Sequence, residues 1–330
     1  MYLGYHIKLN ENYMSHKEKV VVSGGAGFIG RNLVHALLSR GFRVTVFDNF
    51  SSGHERFLVD LDIDLINADI SSPDIVTNIG FKDAKRIYHL AADIDNRNSW
   101  TVPYKSLNAN SIGTLNIGLA AKNFGIKEIV YSSSATVYGE HLRSPYFEDQ
   151  DNSQQTSLYG ATKYSGEGIL SSFAFHFPVK VVVFRFGNVL GPFCTHGHLY
   201  DFVSRLRRGE KLLSVLGNGN QIKTYIHVYD VVNALIGVSM SDQFEVYNLS
   251  RPDYSTVRDS VKWLSETLNL SFDVEYENSA YGWRGDNPRL FLNTLKIEKT
   301  GWKPQITIEK SVKDTVNWLW ANQWVFENNS

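Results

Sequence analysis

Three valines, Val20-Val21-Val22, run directly into Ser23-Gly24-Gly25-Ala26-Gly27-Phe28-Ile29-Gly30, so an apolar strand, a glycine-spaced turn and a helix start follow without a gap. That order narrows the fold more than any other stretch of the chain. Gly24 permits a tight turn, Gly27 lets the backbone approach a pyrophosphate, and Gly30 allows the helix to sit close against the strand. The helix N-terminus brings free N–H groups and a partial positive charge to the phosphates. About 20 residues on, where such a unit sets an acid against a ribose, the next apolar run ends in Phe47-Asp48-Asn49. The Asp48 carboxylate would accept from both ribose hydroxyls and repel a 2′-phosphate, which favours NAD over NADP. A further acid, Asp69 in Ala68-Asp69-Ile70, follows the third run. It reads either as a partner for an adenine amino group or as a loop-initiating Asp.

Short β-branched runs alternate with helical stretches from Lys19 onward. Arg43–Phe47, Ile63–Ile66, Arg86–Leu90, Glu128–Tyr131 and Val179–Arg185 join the valines as strands, with helices over Arg31–Arg40, Asn108–Asn123 and Tyr159–Phe175. The expected fold is α/β, a Rossmann-type doubly wound parallel sheet with a smaller C-terminal substrate-binding lobe. Residues 1–18 read as a polar N-terminal arm, 19–186 as the NAD-binding domain and 187–330 mainly as the substrate lobe, interleaved with the sheet. Lys plus Arg number 33 against 34 Asp plus Glu, a net charge of -1 that leaves no basic field for a nucleic acid. No apolar run reaches the ~18 residues of a membrane span, so no membrane partner is expected. Cys194 is the sole cysteine, which suits a reducing cytoplasm and leaves no intrachain disulfide. His196 and His198 lack carboxylates at ligand spacing, so no metal site is expected.

Tyr159-Gly160-Ala161-Thr162-Lys163 sets a phenol and an ammonium four residues apart, on one helix face. A neighbouring cation favours phenolate, so Tyr159 is expected to titrate below its reference value of ~10 and to serve as a general base. Upstream, Tyr131-Ser132-Ser133-Ser134 carries a buried strand out into hydroxyls at its carboxyl end, the edge at which doubly wound sheets bind ligands.

Taken in order, the glycine turn, Asp48 to Gly53, His89-Leu90-Ala91-Ala92, Asn110 to Thr114, Ser132 to Gly139, Tyr159 to Lys163, Arg185 to Asn188 and Tyr225-Ile226-His227-Val228 resemble one family. It is the extended short-chain dehydrogenases/reductases of NAD-dependent epimerase/dehydratase type, and above all their UDP-galactose (UDP-glucose) 4-epimerase branch. The likeness runs from Lys19 to about Trp320. It implies that Tyr159 is the catalytic base, that Lys163 holds the nicotinamide ribose, and that Ser134 bonds the sugar hydroxyl being oxidised. It implies an NAD site formed by Gly24, Gly27, Phe28, Ile29, Gly30, Asp48, Asn49, Asp69, Ile70, Ala91, Asn110 and Ser132. Asn188 would meet the sugar diphosphate, with Lys223, Arg284 and Asp286 as further substrate residues. It also implies a homodimer, because the helices over Asn108–Asn123 and Tyr159–Phe175 carry apolar residues on more than one face, and in the family they pair across a twofold.

The implied activity is that of a nucleotide-sugar 4-epimerase, acting on a UDP-hexose or a UDP-N-acetylhexosamine. Lys223 stands where the family often carries Arg, which keeps the charge and loses the bidentate fork. Arg284 is displaced relative to Gly285-Asp286. Leu290, four residues past Asp286, falls where a bulky Tyr narrows the sugar pocket of galactose epimerases. As leucine it either leaves room for a 2-acetamido group or is ordinary core, and a register shifted by one would bring Arg289 or Phe291 there. A net NAD-dependent reductase stays open. A 4,6-dehydratase would carry an Asp-Glu pair where Ala135-Thr136 follow Ser134, and a non-catalytic dinucleotide-binding sensor has no chemical use for Ser134, Tyr159 and Lys163. His89 reads as a hydrogen-bonded core histidine, and His227 as either structural or nucleotide-adjacent.

Overall fold

Val20, Val21 and Val22 are all but sealed from solvent, and the strand they form, β1 (Lys19–Ser23), runs inside a seven-stranded sheet. Both faces of such a strand are covered, which is why its apolar run is continuous rather than alternating. The computed structural model describes residues 18–95, 99–139, 144–150, 154–280, 282 and 289–329. After β1 come α1 (Phe28–Ser39), β2 (Arg43–Asp48), β3 (Asp64–Asn67), β4 (Ala84–His89), α2 (Pro103–Leu107), a π turn over Asn108–Ile112 and α3 (Gly113–Phe124). Then follow β5 (Glu128–Ser134), α4 (Leu158–His176), β6 (Lys180–Phe186), β7 (Asn188–Leu190), α5 (His198–Arg207), β8 (Leu212–Val215), β9 (Ile222–Lys223), β10 (Tyr225–His227) and α6 (Val228–Gly237). The chain continues through β11 (Phe244–Leu249), β12 (Ser255–Thr256), α7 (Val257–Leu268), β13 (Asp273–Tyr276), β14 (Arg289–Leu290), α8 (Leu295–Glu298) and α9 (Ile308–Ala321).

The sheet order is β11-β6-β5-β4-β1-β2-β3, and every pairing in it is parallel. Chain direction across the sheet reverses between β1 and β4, the switch point at which such sheets open a crevice. One face is sealed by α1 and α6 through Leu33, Leu37, Val231 and Leu235. The other is sealed by α3 and α4 through Ile117, Ala121, Leu170 and Ala174. A separate apolar core, with Leu199, Val203, Leu264 and Val316, holds α5, α7, α9 and β8 together as a lobe over the carboxyl edge.

The pattern of short apolar runs predicts six strands in the sheet; the structure has seven. β11 pairs with β6 along its whole length, from Phe244↔Val181 to Leu249↔Phe186. Its run is interrupted by Glu245, which is buried yet accepts from the Ser241 and Asp242 amides and from the Tyr247 hydroxyl. A charge so satisfied can be carried in a sheet, and that satisfaction cannot be read from the run itself. Residues past 187 thus supply both a sheet strand, β11, and a sheet-facing helix, α6, which is how the lobe interleaves with the sheet.

Candidate active site

β1 ends at Ser23 beside His89 of β4, and β5 ends at Ser134 beside Phe186 of β6. These ends surround a cleft of about 560 Å³. Its floor at one end is the glycine turn. Gly24 has φ +78°, and a Cβ there would lie 2.5 Å from the Ala91 amide nitrogen. At Gly30 a Cβ would come within 2.0 Å of the Gly24 carbonyl, so α1 can seat against the turn only without a side chain. No side chain caps the Gly27 start of α1 and no acid stands in its first turn, which leaves that N-terminus free to take a pyrophosphate.

Asp48 accepts from the Ala26 amide at 2.8 Å and from the Phe50 amide at 2.9 Å. Burial raises its carboxyl, and these two bonds pull it back. The acid therefore shapes the turn from inside the cleft, with lone pairs left for a ribose. Asn49 donates to Asp69 at 3.1 Å. Asp69 also takes the Ser71 amide at 2.8 Å and the Ser71 hydroxyl at 2.7 Å. Against desolvation, these bonds hold it below its usual range. Asp69 thus opens its loop while still lining the cleft, as do Phe28, Ile29, Ile70 and Ala91. Among the residues predicted for the dinucleotide, Ser132 also faces the cleft and donates to the His89 carbonyl at 3.0 Å.

Asn110 is placed elsewhere. It lies behind the wall, where its amide accepts from the Asp93 N–H at 2.9 Å and donates to the Asp93 carbonyl at 3.0 Å and to Thr162 at 3.0 Å. His89 is fully buried, within 2.8 Å of the Ser23 hydroxyl at Nδ1 and 2.9 Å of Thr114 at Nε2. The Thr114 hydroxyl gives its proton to the Asn110 carbonyl at 2.6 Å. Thr114 must therefore accept from Nε2–H, leaving Nδ1 to accept from Ser23, and the ring is neutral. Burial, with Lys163 adding to it, pushes the His89 pKa down to about 3. His227 is likewise structural: its Nδ1 accepts from the Tyr229 amide at 3.1 Å and caps α6. Burial lifts the Cys194 thiol to about 12, so it is inert.

At the reacting end, Tyr159 of α4 hydrogen-bonds Ser134. Ser134 in turn caps the short turn that follows β5, accepting from the Thr136 amide at 3.2 Å and the Thr136 hydroxyl at 3.0 Å. Lys163, one turn along α4, is buried with its Nζ 4.4 Å from the centre of the Tyr131 ring. The expected fall of the Tyr159 pKa is corrected here. Burial raises it to about 12, with the Asp93 charge adding to that effect and Ser134 opposing it. Burial lowers Lys163 to about 7 against the pull of Glu167. The Lys163 amine sits over the Tyr131 ring.

Two groups escaped the sequence reading. Glu167 extends the Tyr159, Lys163 face by one more turn. Its carboxylate takes Arg185 at 2.7 Å and 3.0 Å and the Ser133 hydroxyl at 2.5 Å, tying α4 to β5 and β6 behind Ser134 and Tyr159. The i, i+4 spacing of Lys163 and Glu167 was the available signal. Asp93 is the other, a buried carboxylate on the cleft wall.

Asn188 lines the cleft at β7 and donates to the Thr224 carbonyl at 3.1 Å. Lys223 and Leu290 pair in register on neighbouring strands β9 and β14, outside the cleft-lining set. Leu290 leans on the core formed by Tyr138, Tyr146 and Leu292, which is the ordinary-core alternative for that position. Arg284 and Asp286 lie outside the described residues. Among the described residues no group of His, Cys, Asp and Glu is arranged to hold a metal ion, and no helix is long and apolar enough to cross a membrane.

A glycine-turn cleft with a Ser-Tyr-Lys constellation at its far end defines a dinucleotide-dependent enzyme of the short-chain dehydrogenase type. The chain belongs to the NAD dependent epimerase/dehydratase family, whose model matches residues 20–250. It is 33% identical to a UDP-galactose 4-epimerase of known structure, covering 93% of this chain and 100% of that one, with a TM-score of 0.83. It is 29% identical to a UDP-N-acetylglucosamine 4-epimerase from Methanobrevibacter ruminantium, over 93% of this chain and 99% of that one, with a TM-score of 0.84. A UDP-glucuronic acid decarboxylase from Xenopus tropicalis is 26% identical over 93% of this chain and 74% of its own length. The cofactor of the family is NAD, and the free α1 N-terminus with Asp48 beside it fits that group.

Proposed function

We propose that this protein is a nucleotide-sugar 4-epimerase that inverts the C4 hydroxyl of a UDP-hexose. The observation that carries the reading is the Tyr159–Ser134 pair, set at the carboxyl end of β5 in the same cleft as the glycine turn. Ser134 and Tyr159 hold the C4 oxygen between two hydroxyls. In its phenolate form, which the positive charge of bound NAD would favour over the neutral phenol, Tyr159 takes the hydroxyl proton as the C4–H bond gives up its hydride, and returns that proton when hydride comes back to the opposite face of the 4-keto sugar. NAD, when bound, supplies the hydride acceptor and gives the hydride back, so none is consumed. Lys163 holds the nicotinamide ribose, and Asn188 meets the diphosphate. The likeness to 4-epimerases at up to 33% identity supports this reading.

The same reading includes UDP-N-acetylhexosamines as substrates, supported by the likeness to a UDP-N-acetylglucosamine 4-epimerase. Leu290 packs against the Tyr138, Tyr146 and Leu292 core and does not line the cleft, so this part of the reading rests on that likeness alone. Measuring kcat/KM for UDP-glucose and UDP-N-acetylglucosamine in wild type tests this, and turnover of UDP-glucose alone contradicts it. The protein acts as a homodimer through α3 and α4. Supporting this, Tyr104, Leu107, Ile112, Tyr164 and Phe175 remain exposed along this side of the sheet.

The experiment for the activity is a panel of UDP, dTDP, GDP and CDP sugars incubated without added cofactor, with C4 configuration followed by NMR. Inversion of a UDP-hexose is the expected result. Net reduction or loss of water across C5 and C6 contradicts it.

A further inference from the structure

Asp93 is gripped more completely than its position requires. Its N–H and carbonyl are both bonded by the Asn110 amide, at 2.9 and 3.0 Å. One carboxylate oxygen takes the Ser106 hydroxyl at 2.5 Å, and the other lies 3.2 Å from the Lys105 ammonium. These partners come from α2 and from the π turn at Asn108–Ile112, a local change of helix pitch that often marks a functional position. The side chain is 5% exposed. It nonetheless lines the cleft, and its charge reaches the Tyr159 phenol. The chain thus fixes an anion on the wall of the cleft that also holds the Tyr159–Ser134 pair.

We infer that Asp93 sets the charge class of the sugar: it admits a nucleotide-linked hexose that is neutral at C6 and excludes one that carries a C6 carboxylate. The inference rests on the epimerase reading above. With O4 held at Ser134 and Tyr159, C6 is two bonds from the reacting carbon. A carboxylate there would have to shed water next to a second carboxylate already desolvated. Two like charges about 6 Å apart at an effective dielectric of about 20 repel by about a hundredfold in binding. Lys105 offsets only part of this, because its side chain is 52% exposed and its field is screened by water.

The test measures binding and turnover of UDP-glucose and UDP-glucuronic acid by the holoenzyme. Wild type is expected to favour UDP-glucose at least tenfold in both Kd and kcat/KM. Asp93→Asn, which keeps the shape, should narrow that preference about tenfold, and Lys105→Ala should widen it. Lys105 is largely in solvent, so its variant and the wild-type ratio decide the matter even if the Asp93 variant does not fold. Equal use of both sugars by wild type overturns the inference and leaves the epimerase reading standing, as does a preference that narrows in Lys105→Ala. If wild type inverts neither sugar, or releases carbon dioxide from UDP-glucuronic acid, the epimerase reading falls and the inference with it.

Discussion

Tyr159 and Lys163 sit one helical turn apart, and burial pushes them in opposite directions, the phenol up to about 12 and the ammonium down to about 7. Each is held nearer its neutral form by the same low-dielectric wall. Replacing Tyr159 by Phe removes the proton carrier and leaves the cofactor cradle intact, so kcat should fall by ~10²–10⁴-fold with NAD still bound. Single-turnover kinetics together with the nucleotide released on denaturation read both, and activity within threefold of wild type would remove Tyr159 from the mechanism. His89 offers a stability test. Its folded pKa of about 3 lies below the unfolded value, so the unfolded state binds the extra proton and stability declines as pH falls through the window from about 6.5 to 3. Between pH 7 and pH 5 wild type should lose about 2 kcal/mol more than His89→Asn in urea unfolding, and equal losses would show that His89 is not buried neutral. That Ser134, Tyr159 and Lys163 share one cleft was legible because their spacing sets them on one helix face and one strand end. Asp93 was not, since nothing in Ala91-Ala92-Asp93 signals that Asn110, Ser106 and Lys105 will converge on it.

Cofactor binding is expected to depend on the unit made by β1, the glycine turn and α1. At Gly24 a Cβ meets the Ala91 backbone at 2.5 Å, and φ is +78°. Gly24→Ala should therefore cost roughly 1–3 kcal/mol from overpacking, with a further ~1 kcal/mol from the left-handed backbone. It should also lose copurified NAD. Denaturant midpoints and bound nucleotide measure the two effects, and an alanine variant as stable and as loaded as wild type would contradict the close approach. This unit was legible because each glycine is required by a steric contact that recurs wherever a strand, a turn and a helix meet so tightly. β11 and the π turn were not. The first hides behind a satisfied glutamate, Glu245, and the second differs from an α-helix by the hydrogen bonding of a single turn, which side-chain periodicity does not resolve.

For the whole molecule, the sheet and both its helical layers follow from alternating apolar runs, whereas the lobe over the cleft draws on short strands such as β9 and β14 that carry no pattern of their own. The exposed aromatic and aliphatic side chains beside α3 and α4 should be covered in a dimer. Light scattering is expected to give twice the chain mass, with Phe175→Glu or Tyr104→Glu shifting the equilibrium toward monomer; a concentration-independent monomer mass would refute it. The central claim is that C4 is oxidised and reduced again within one cleft, and it is tested most directly by NMR of a UDP-hexose turned over in D₂O without added NAD. The expected result is a mixture of both C4 epimers in which C4 keeps its original hydrogen, because the hydride leaves and returns without meeting solvent. Deuterium at C4, or no change of configuration there, would contradict it.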